Sequence, residues 1–337
     1  MPASPGALRF NTDSNKLELY DGNQWTEIVA SSPDSQTGGA RGLIAGGILY
    51  PATYYNTIQY ITIATTGNSV DFGDLTGPRI FQLGGAASST RGVFAGGDVP
   101  GNAGVNVIDY VTISSTGNAQ DFGDLLTELD NGASSSTLSN STRGLFGGGS
   151  PDGGTAYGNV IQYITIASTG NAQDFGDAIN SPQLYGTCAS STRGIIAGGY
   201  ITTNIIQYVT ISTQGNAGDF GDLTEVRYAL GGASNSTRGI FSGGTSTGLN
   251  VIDYVTISTL GNAVDFGDMT TGRYYAAVMA SSTRVTFAGG ANGGAGNDLN
   301  IIDYVTIAQT GNAVDFGDLN ADTRRSPVGA SNGHGGL

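Results

Sequence analysis

The sequence predicts an all-β protein built from repeated units, and three observations support this. A phrase that begins Gly-Asn and ends Asp-Phe-Gly-Asp occurs six times along the chain. Runs rich in Val, Ile, Tyr and Thr alternate with period 2 between Gly-rich segments, which is typical of short strands joined by turns. No stretch shows a sustained helical spacing of apolar residues. A phrase that recurs about every fifty residues indicates an architectural unit.

The first segment of the chain differs from the repeats. Residues 6–25, "GALRFNTDSNKLELYDGNQW", alternate apolar and polar residues between turn residues, which predicts a short β-meander. Its expected strands are Leu8–Asn11, Leu17–Asp21 and Trp25–Val29, with turns at Thr12–Asn15 and Gly22-Asn23. We therefore divide the chain into an N-terminal module, residues 1–36, and a repeat domain, residues 37–337.

Each repeat divides into four predicted strands, a to d. In the copy from Arg227 to Met269 they are "RYALGGAS", "TRGIFSGG", "NVIDYVTIS" and "NAVDFGDM". Strand c alternates most clearly, with Asp253 and Val255 on one face and Ile252 and Tyr254 on the other. The Gly-Asn pair after strand c permits positive φ, which predicts a tight c–d hairpin.

A single four-stranded unit cannot bury both faces, whereas six units arranged radially can. The repeat length and strand number therefore predict a six-bladed β-propeller, with an open β-solenoid as the alternative. The first unit lacks an obvious strand a. The C-terminal "RRSPVGASNGHGGL" resembles "RYALGGASNSTRGI", so we expect Arg325–Ser331 to supply it. A competing donor is "WTEIVASS", residues 25–32.

Composition limits the classes of function. The formal net charge is -14 and Lys16 is the single lysine, which argues against nucleic-acid binding, because counterion release needs clustered basic residues. Cys188 is the one cysteine, which excludes an internal disulfide and a Cys-based zinc site. We expect it to be a buried residue on a strand. No apolar run approaches a membrane span and no secretion signal precedes the repeats, so we expect synthesis in a cytoplasm and no membrane insertion.

The repeats resemble kelch repeats, because a Gly-Gly pair ends strand b and a Tyr-bearing strand follows. These pairs begin at Gly46, Gly96, Gly148, Gly198, Gly243 and Gly289. Kelch repeats usually carry a Trp in the last strand, and here a Phe stands in a comparable place, at Phe72, Phe122, Phe175, Phe220, Phe266 and Phe316. The resemblance implies a propeller, while this departure leaves kelch-type partner binding open.

Two further stretches resemble phage proteins. "STRGVFAGG" and "TGNAVDFGDL" look like Gly-rich repeats of virion structural and tail-fibre-like proteins of cyanobacterial phages, and residues 6–25 resemble a short module of phage tail and fibre proteins. The resemblance implies a virion location after assembly in the host cytoplasm. The partners it implies are other virion proteins and a host surface glycan or receptor.

The Asp-Phe-Gly triplet also occurs in protein kinases, where it binds magnesium. Six copies argue against a phosphate-transfer site, because such a site needs the triplet once. Calcium binding by the twelve carboxylates and simple turn chemistry both remain open, although the carboxylates are spaced three apart rather than at alternate positions. We predict no cofactor, no metal and no catalytic residue.

One arginine recurs at the start of strand b in every unit: Arg41, Arg91, Arg143, Arg193, Arg238 and Arg284. The a–b and c–d turns share one end of an antiparallel sheet, so we expect these arginines to pair with aspartates of the Asp-Phe-Gly-Asp segments. The alternative is an anion site formed by all six. His334, the single histidine, is expected to replace this arginine in the truncated last unit.

The b–c loops differ in length and wording, whereas the opposite end repeats almost word for word. Loops on a rigid framework commonly form binding sites, and aromatic residues in such loops are enriched at interfaces. The predicted binding residues are Tyr50, Tyr54, Tyr55, Tyr157 and Tyr200.

Three hypotheses for function follow. The first is a non-enzymatic phage virion protein, tail-fibre-like or a decoration, that binds a host surface or another virion protein. The second is a cytoplasmic interaction scaffold of kelch type, and the third is a glycan-cleaving propeller that uses an Asp pair.

Overall fold

The computed structural model describes residues 4–11, 16–27, 39–81, 84–101, 103–129, 138–149, 158–180, 183–200, 203–245, 247–294, 296–320 and 322–337. The chain divides into two compact units, Met1–Thr37 and Gly38–Leu337. The described residues form strands and turns without a helix, so the predicted all-β class is confirmed. The described residues include no helix that is long and apolar enough to cross a membrane.

The first unit contains a three-stranded antiparallel sheet of β1 (Leu8–Asn11), β2 (Lys16–Tyr20) and β3 (Trp25–Glu27). The rings of Tyr20 and Trp25 lie 5.3 Å apart, and the Arg9 guanidinium lies 4.3 Å from the Trp25 ring centroid. The predicted order of strands is confirmed. The first predicted turn and the end of the third strand lie outside the described residues.

The described residues of the second unit form six antiparallel sheets of three or more strands, here called sheets 1 to 6, and the strands follow the order a-b-c-d, with strand a missing from sheet 3. The b strands are β4 (Arg41–Ala45), β10 (Arg91–Ala95), β14 (Arg143–Gly147), β18 (Arg193–Ala197), β22 (Arg238–Ser242) and β26 (Arg284–Ala288). The c strands are β7 (Thr57–Thr62), β12 (Ala103–Thr112), β15 (Val160–Thr165), β19 (Ile205–Thr210), β23 (Val251–Thr256) and β27 (Ile301–Thr306). The d strands are β8 (Val70–Asp74), β13 (Gln120–Leu129), β16 (Gln173–Asp177), β20 (Gly218–Asp222), β24 (Val264–Asp268) and β28 (Val314–Asp318).

The a strands are the shortest. Sheets 1, 2, 4, 5 and 6 have β29 (Val328–Ser331), β9 (Gly84–Ala87), β17 (Gly186–Ala189), β21 (Gly231–Ser234) and β25 (Ala277–Ala280). In sheet 3 a single bridge between Ser139 and Gly144 marks this position. A hairpin of β5 (Ile48–Leu49) and β6 (Thr53–Tyr54) follows β4, and β11 (Asp98–Val99) pairs with β12.

The C-terminal strand completes sheet 1. β29 pairs with β4 in the register Val328↔Ala45 to Ser331↔Gly42, so the predicted C-terminal donor is confirmed. The competing donor is excluded for its described part, because Trp25–Glu27 pairs with β2.

The hydrophobic core lies between neighbouring sheets. One cluster joins Leu43 and Phe72 of sheet 1 to Phe94 and Val111 of sheet 2. Another joins Ile61 of sheet 1 to residues of sheet 6, including Met279, Ile302 and Phe316. Cys188 is a fully buried, free thiol on β17, as predicted, and burial raises its pKa.

The repeated phrase forms the junctions between sheets. The Phe carbonyl of each Asp-Phe-Gly-Asp segment accepts a hydrogen bond from the Gly N–H of the Gly-Asn pair in the following sheet. These pairs are Phe72–Gly117, Phe122–Gly170, Phe175–Gly215, Phe220–Gly261, Phe266–Gly311 and Phe316–Gly67, at 2.7–2.8 Å. The last pair joins sheet 6 to sheet 1.

Two more bonds complete each junction. Between sheets 1 and 2 the Ala119 N–H donates to the Asp74 carbonyl at 2.7 Å, and the Asp74 N–H donates to Asn118 Oδ1 at 3.1 Å. The predicted c–d hairpin is confirmed as an antiparallel pair, but it is not tight. β7 and β8 do pair, but residues 63–69 connect them, because this connection reaches out to the preceding sheet.

Candidate functional site

Antiparallel order places the connections of each sheet at two ends. We call the end with the a–b and c–d connections the turn end, and the end with the b–c loops and d–a connections the loop end. The predicted binding tyrosines belong to the b–c loops at the loop end. Tyr50 and Tyr200 are exposed, at 44% and 46%, while Tyr54 and Tyr55 are half-buried. Tyr157 lies outside the described residues.

An ion pair anchors the b–c loop of sheet 1. Arg325 donates to the Asp298 carboxylate, and its guanidinium lies 4.8 Å from the Tyr50 ring centroid. Asp298 also accepts the Tyr50 N–H at 2.6 Å. The neighbouring Arg324 lies 4.6 Å from the Tyr55 ring. Two of the predicted tyrosines are therefore already covered by cations of the chain.

A group of residues at the loop end has unusual backbone geometry. Five non-glycine residues at one repeated position, on the d–a connection, have φ between 48° and 58°: Phe81, Leu184, Ala229, Tyr275 and Ser326. A left-handed residue with a side chain costs about 1–2 kcal/mol relative to glycine. Glycine adopts this conformation at many other positions of the chain, so these five residues keep a side chain where glycine would be less strained.

Hydrogen bonds join these positions from sheet to sheet. The Ala229 N–H donates to the Leu184 carbonyl at 2.6 Å, the Tyr275 N–H to Ala229 at 3.0 Å, and the Ser326 N–H to Tyr275 at 3.0 Å. The loop ends of sheets 4, 5, 6 and 1 therefore meet at these residues.

Aromatic rings gather beside them. We call Phe81, Tyr200, Tyr228, Tyr274 and Tyr275 the aromatic cluster. Ring centroids lie 5.1 Å apart for Phe81 and Tyr275, 5.0 Å for Tyr274 and Tyr275, and 5.4 Å for Tyr200 and Tyr228, all edge to face. Four of the five rings keep some exposure, and Tyr274 is buried. Of this cluster, sequence reasoning identified only Tyr200, because the other four lie on d–a connections instead of b–c loops.

Among the described residues no ion pair joins a repeated arginine to an aspartate, so that prediction was wrong. Arg193 lies 4.6 Å from the Tyr208 ring of its own sheet and donates at 2.7 Å to the Ile257 carbonyl of sheet 5. The same arrangement holds for Arg41, Arg91, Arg143, Arg238 and Arg284. At the turn end the acceptor of each arginine is a main-chain carbonyl of the next sheet, whereas the Asp-Phe-Gly-Asp carboxylates lie on the d strands.

A second set of arginines makes the ion pairs, and sequence reasoning missed it. Arg227, on the d–a connection into sheet 5, lies 2.5 Å from Asp253 on strand c of that sheet, and both side chains are fully buried. Arg79–Asp109 and Arg273–Asp303 repeat the pair in sheets 2 and 6. Burial lowers the pKa of Arg227, and Asp253 opposes that shift.

The sequence did contain a signal for these pairs. Sheet 1 combines Gln59 with Arg324, but each sheet whose c strand carries Asp is preceded by an arginine, whereas the connections before Gln162 and Gln207 contain none. There the glutamine side chain accepts a main-chain N–H instead, from Leu126 and Ile179, at 2.7 Å.

His334 does not replace the repeated arginine, which corrects the prediction. Arg41 fills that place, and its N–H donates to Asn332 Oδ1 at 2.7 Å, as the Arg238 N–H donates to Asn235 Oδ1 at 2.8 Å. The a–b turn of sheet 1 is thus divided between two distant parts of the chain. Beyond Asn332 the chain turns inward, and His334 is buried.

The C-terminal tail, residues 332–337, lies among the a strands. His334 Nε2 lies 2.9 Å from the Ala87 carbonyl of sheet 2, and the Gly336 N–H donates to His334 Nδ1 at 3.1 Å, which indicates the neutral Nε2–H form. Burial lowers the pKa of His334 to about 4. A Cβ at Gly335 would lie 2.0 Å from the Asn235 carbonyl oxygen of sheet 5, so glycine is needed for this close approach.

Within the described ranges, no group of three or more His, Cys, Asp or Glu side chains is placed to hold a metal ion. No protein-family model and no curated protein matches this chain. The geometry of the loop end therefore carries the functional argument.

Proposed function

We propose that this protein is a non-enzymatic structural protein on the exterior of a phage particle, tail-fibre-like or a decoration. In this proposal its second unit is a six-bladed, kelch-like β-propeller whose loop end binds a host surface or a neighbouring virion protein. The observation that carries the proposal is the contrast between the two ends of the sheets. The turn end is uniform, whereas the loop end holds divergent loops, strained residues and partly exposed aromatic rings.

The junctions support the propeller. The same three hydrogen bonds occur between sheets 1 and 2 and, in order, between every following pair, and they recur between sheets 6 and 1. The C-terminal tail supports it as well, because its contacts reach the a-strand positions of several sheets, among them Ala87, Ser139 and Ser234. A radial arrangement places all six a strands around one axis.

The loop end is the contact surface in this proposal, because changes in the length and sequence of its loops have little effect on the stability of the sheets. At the turn end the repeated arginines are engaged with carbonyls and tyrosine rings, so they hold the sheets together. At the loop end Tyr200 and Phe81 present aromatic surface of the kind that is enriched at interfaces.

The virion assignment rests on the resemblance of the repeats and of residues 6–25 to phage structural proteins. A particle protein of this kind would present a rigid framework with exchangeable loops. The acidic composition, with a formal net charge of -14, suits an exposed surface protein, since it favours solubility.

The test is to shorten the b–c loops at 48–55 and 150–158 to the length of 200–203. We expect a folded protein that no longer adheres to host cells or to its neighbour on the particle. The matched control is Val264→Thr, which changes an exposed residue on a d strand, away from the b–c loops. This variant should adhere normally.

Full adhesion by the shortened variant would contradict the proposed contact surface. A map of the whole particle that lacks this protein would contradict the virion assignment. Release of sugar from host glycans by the purified protein would contradict the non-enzymatic assignment.

A further inference from the structure

The chain builds the same arrangement of Arg, Tyr and Phe side chains six times. In each sheet a Tyr of strand c has the Phe of strand d edge-on and the Arg of strand b over its face. In sheet 5 the Tyr254 and Phe266 centroids lie 5.9 Å apart, and the Arg238 guanidinium lies 4.5 Å from the Tyr254 centroid. A guanidinium over a tyrosine face is attracted by the negative potential of the ring.

Two pairs of the aromatic cluster repeat this arrangement without an arginine over the ring; within the cluster Tyr274 differs, because the Arg325 guanidinium lies 6.0 Å from its ring centroid. Tyr200 and Tyr228 meet at an interplanar angle of 87°, and Phe81 and Tyr275 at 69°, as the tyrosine–phenylalanine pairs of the sheets do. Among the described residues no arginine lies over the rings of Tyr200, Tyr228 or Tyr275. Eight other tyrosines of the second unit have one within 4.8 Å: Tyr50, Tyr55, Tyr60, Tyr110, Tyr163, Tyr208, Tyr254 and Tyr304.

No cation of the second unit is left to fill these faces. Of the 13 basic residues, Arg9 and Lys16 belong to the first unit, so the second unit has eleven arginines. Six of them hold the turn end, and the other five make ion pairs, of which all but Arg324–Asp322 are buried. The 27 acidic residues of the whole chain outnumber the basic ones, so an external cation is attracted.

A buried hydroxyl group points to the same place. Ser326 is 4% exposed, and its Oγ has no hydrogen-bond partner among the described residues. Its N–H donates to the Tyr275 carbonyl, so the main chain of Ser326 lies next to that of a cluster residue. A hydroxyl oxygen can accept a guanidinium N–H, and an unpartnered buried one is costly without a ligand.

We propose that the aromatic cluster is the receptor site for an arginine side chain of the partner protein, which stacks on the Tyr200, Tyr228 and Tyr275 faces. This deepens the proposed function, on which it rests for the identity of the contact surface. It predicts a partner with a basic, exposed loop. Burial raises the pKa of Tyr275, so this ring stays a neutral phenol at physiological pH.

The test measures binding of the peptide acetyl-Gly-Arg-Gly-amide to the full chain by calorimetry at low salt. The control peptide carries citrulline, which has the shape of arginine without its charge. We expect the arginine peptide to bind and the citrulline peptide to bind at least fivefold more weakly. Tyr200→Leu and Tyr275→Leu should each weaken arginine binding by about two- to fivefold, as an exposed cation–π contact implies.

Two control variants test whether the loss of arginine binding is specific to the ring faces of the aromatic cluster. Tyr275→Phe retains the ring face and should bind nearly as well as the parent chain. Tyr254→Leu removes a tyrosine at the turn end that Arg238 already covers, and it should not change binding.

Equal binding of both peptides, or no loss in the two leucine variants while they remain folded, overturns the proposal. If the shortened-loop variant loses adhesion but the arginine peptide does not bind, the loop end remains the contact surface and only the arginine site is refuted. If the arginine peptide binds but the shortened-loop variant adheres fully, the site stands and the proposed contact surface fails.

Discussion

The N–H of Gly117 donates a 2.7 Å hydrogen bond to the carbonyl of Phe72, across the junction between sheets 1 and 2. Gly73, the residue after Phe72, has φ +146°, and a Cβ there would lie 2.4 Å from the Gly117 carbonyl oxygen. The glycine of Asp-Phe-Gly-Asp is therefore required by the approach of the next sheet. This explains why the phrase occurs at every junction.

Gly73→Ala should lower the free energy of unfolding by about 2–4 kcal/mol, because the methyl group meets main-chain atoms and the backbone is strained. The control is Gly77→Ala, where no atom lies within 4 Å of the added Cβ. We expect that control to change stability by less than about 0.5 kcal/mol. Guanidinium denaturation measures both, and equal midpoints would refute the close-approach argument.

Arg227→Met should cost about 3–5 kcal/mol, because it leaves the buried Asp253 carboxylate without its counter-charge. Adding Asp253→Asn removes the uncompensated charge, so the double variant should be more stable than Arg227→Met alone. Urea denaturation of the parent protein, the two single variants and the double variant completes a double-mutant cycle. Strictly additive losses would mean that the pair has no coupling.

Protonation of His334 should destabilise the fold in acid. Its pKa is about 4 when folded and 6.5 unfolded, so the unfolded chain binds more protons between these values. Stability should therefore fall as pH drops from about 6.5 to about 4, by up to about 3 kcal/mol. His334→Gln should lose this dependence. Subtracting the unfolding free energy of His334→Gln from that of the parent protein, at each pH from 7 to 4, cancels the contribution of the carboxylates. A difference that does not change with pH would contradict the lowered pKa of His334.

Deleting residues 324–337 should destabilise the second unit cooperatively, because β4 loses its partner strand and the a strands lose the tail. Deleting only 334–337 retains β29 and should have a smaller effect. Calorimetric melting compares the two. If the longer deletion melts like the full chain, the strand β29 does not stabilise sheet 1.

Much of this architecture could be predicted because it depends on local pattern. Alternation in "NVIDYVTIS" identified the c strands, and the likeness of "VGAS" to "LGGAS" identified the closing strand. The partners of side chains could not be predicted in this way, since Arg193 contacts the sheet that follows in the chain. Comparing the repeats with one another would have revealed the Arg227–Asp253 pairs, because arginine and aspartate occur together.

The division of the sheet 1 turn between Asn332 and Arg41 has a consequence for biosynthesis. β4 precedes the other b, c and d strands of the second unit in the chain, whereas β29, its partner, follows them. Until β29 has been synthesised, β4 therefore has an open strand edge, and exposed strand edges tend to pair with other chains and aggregate.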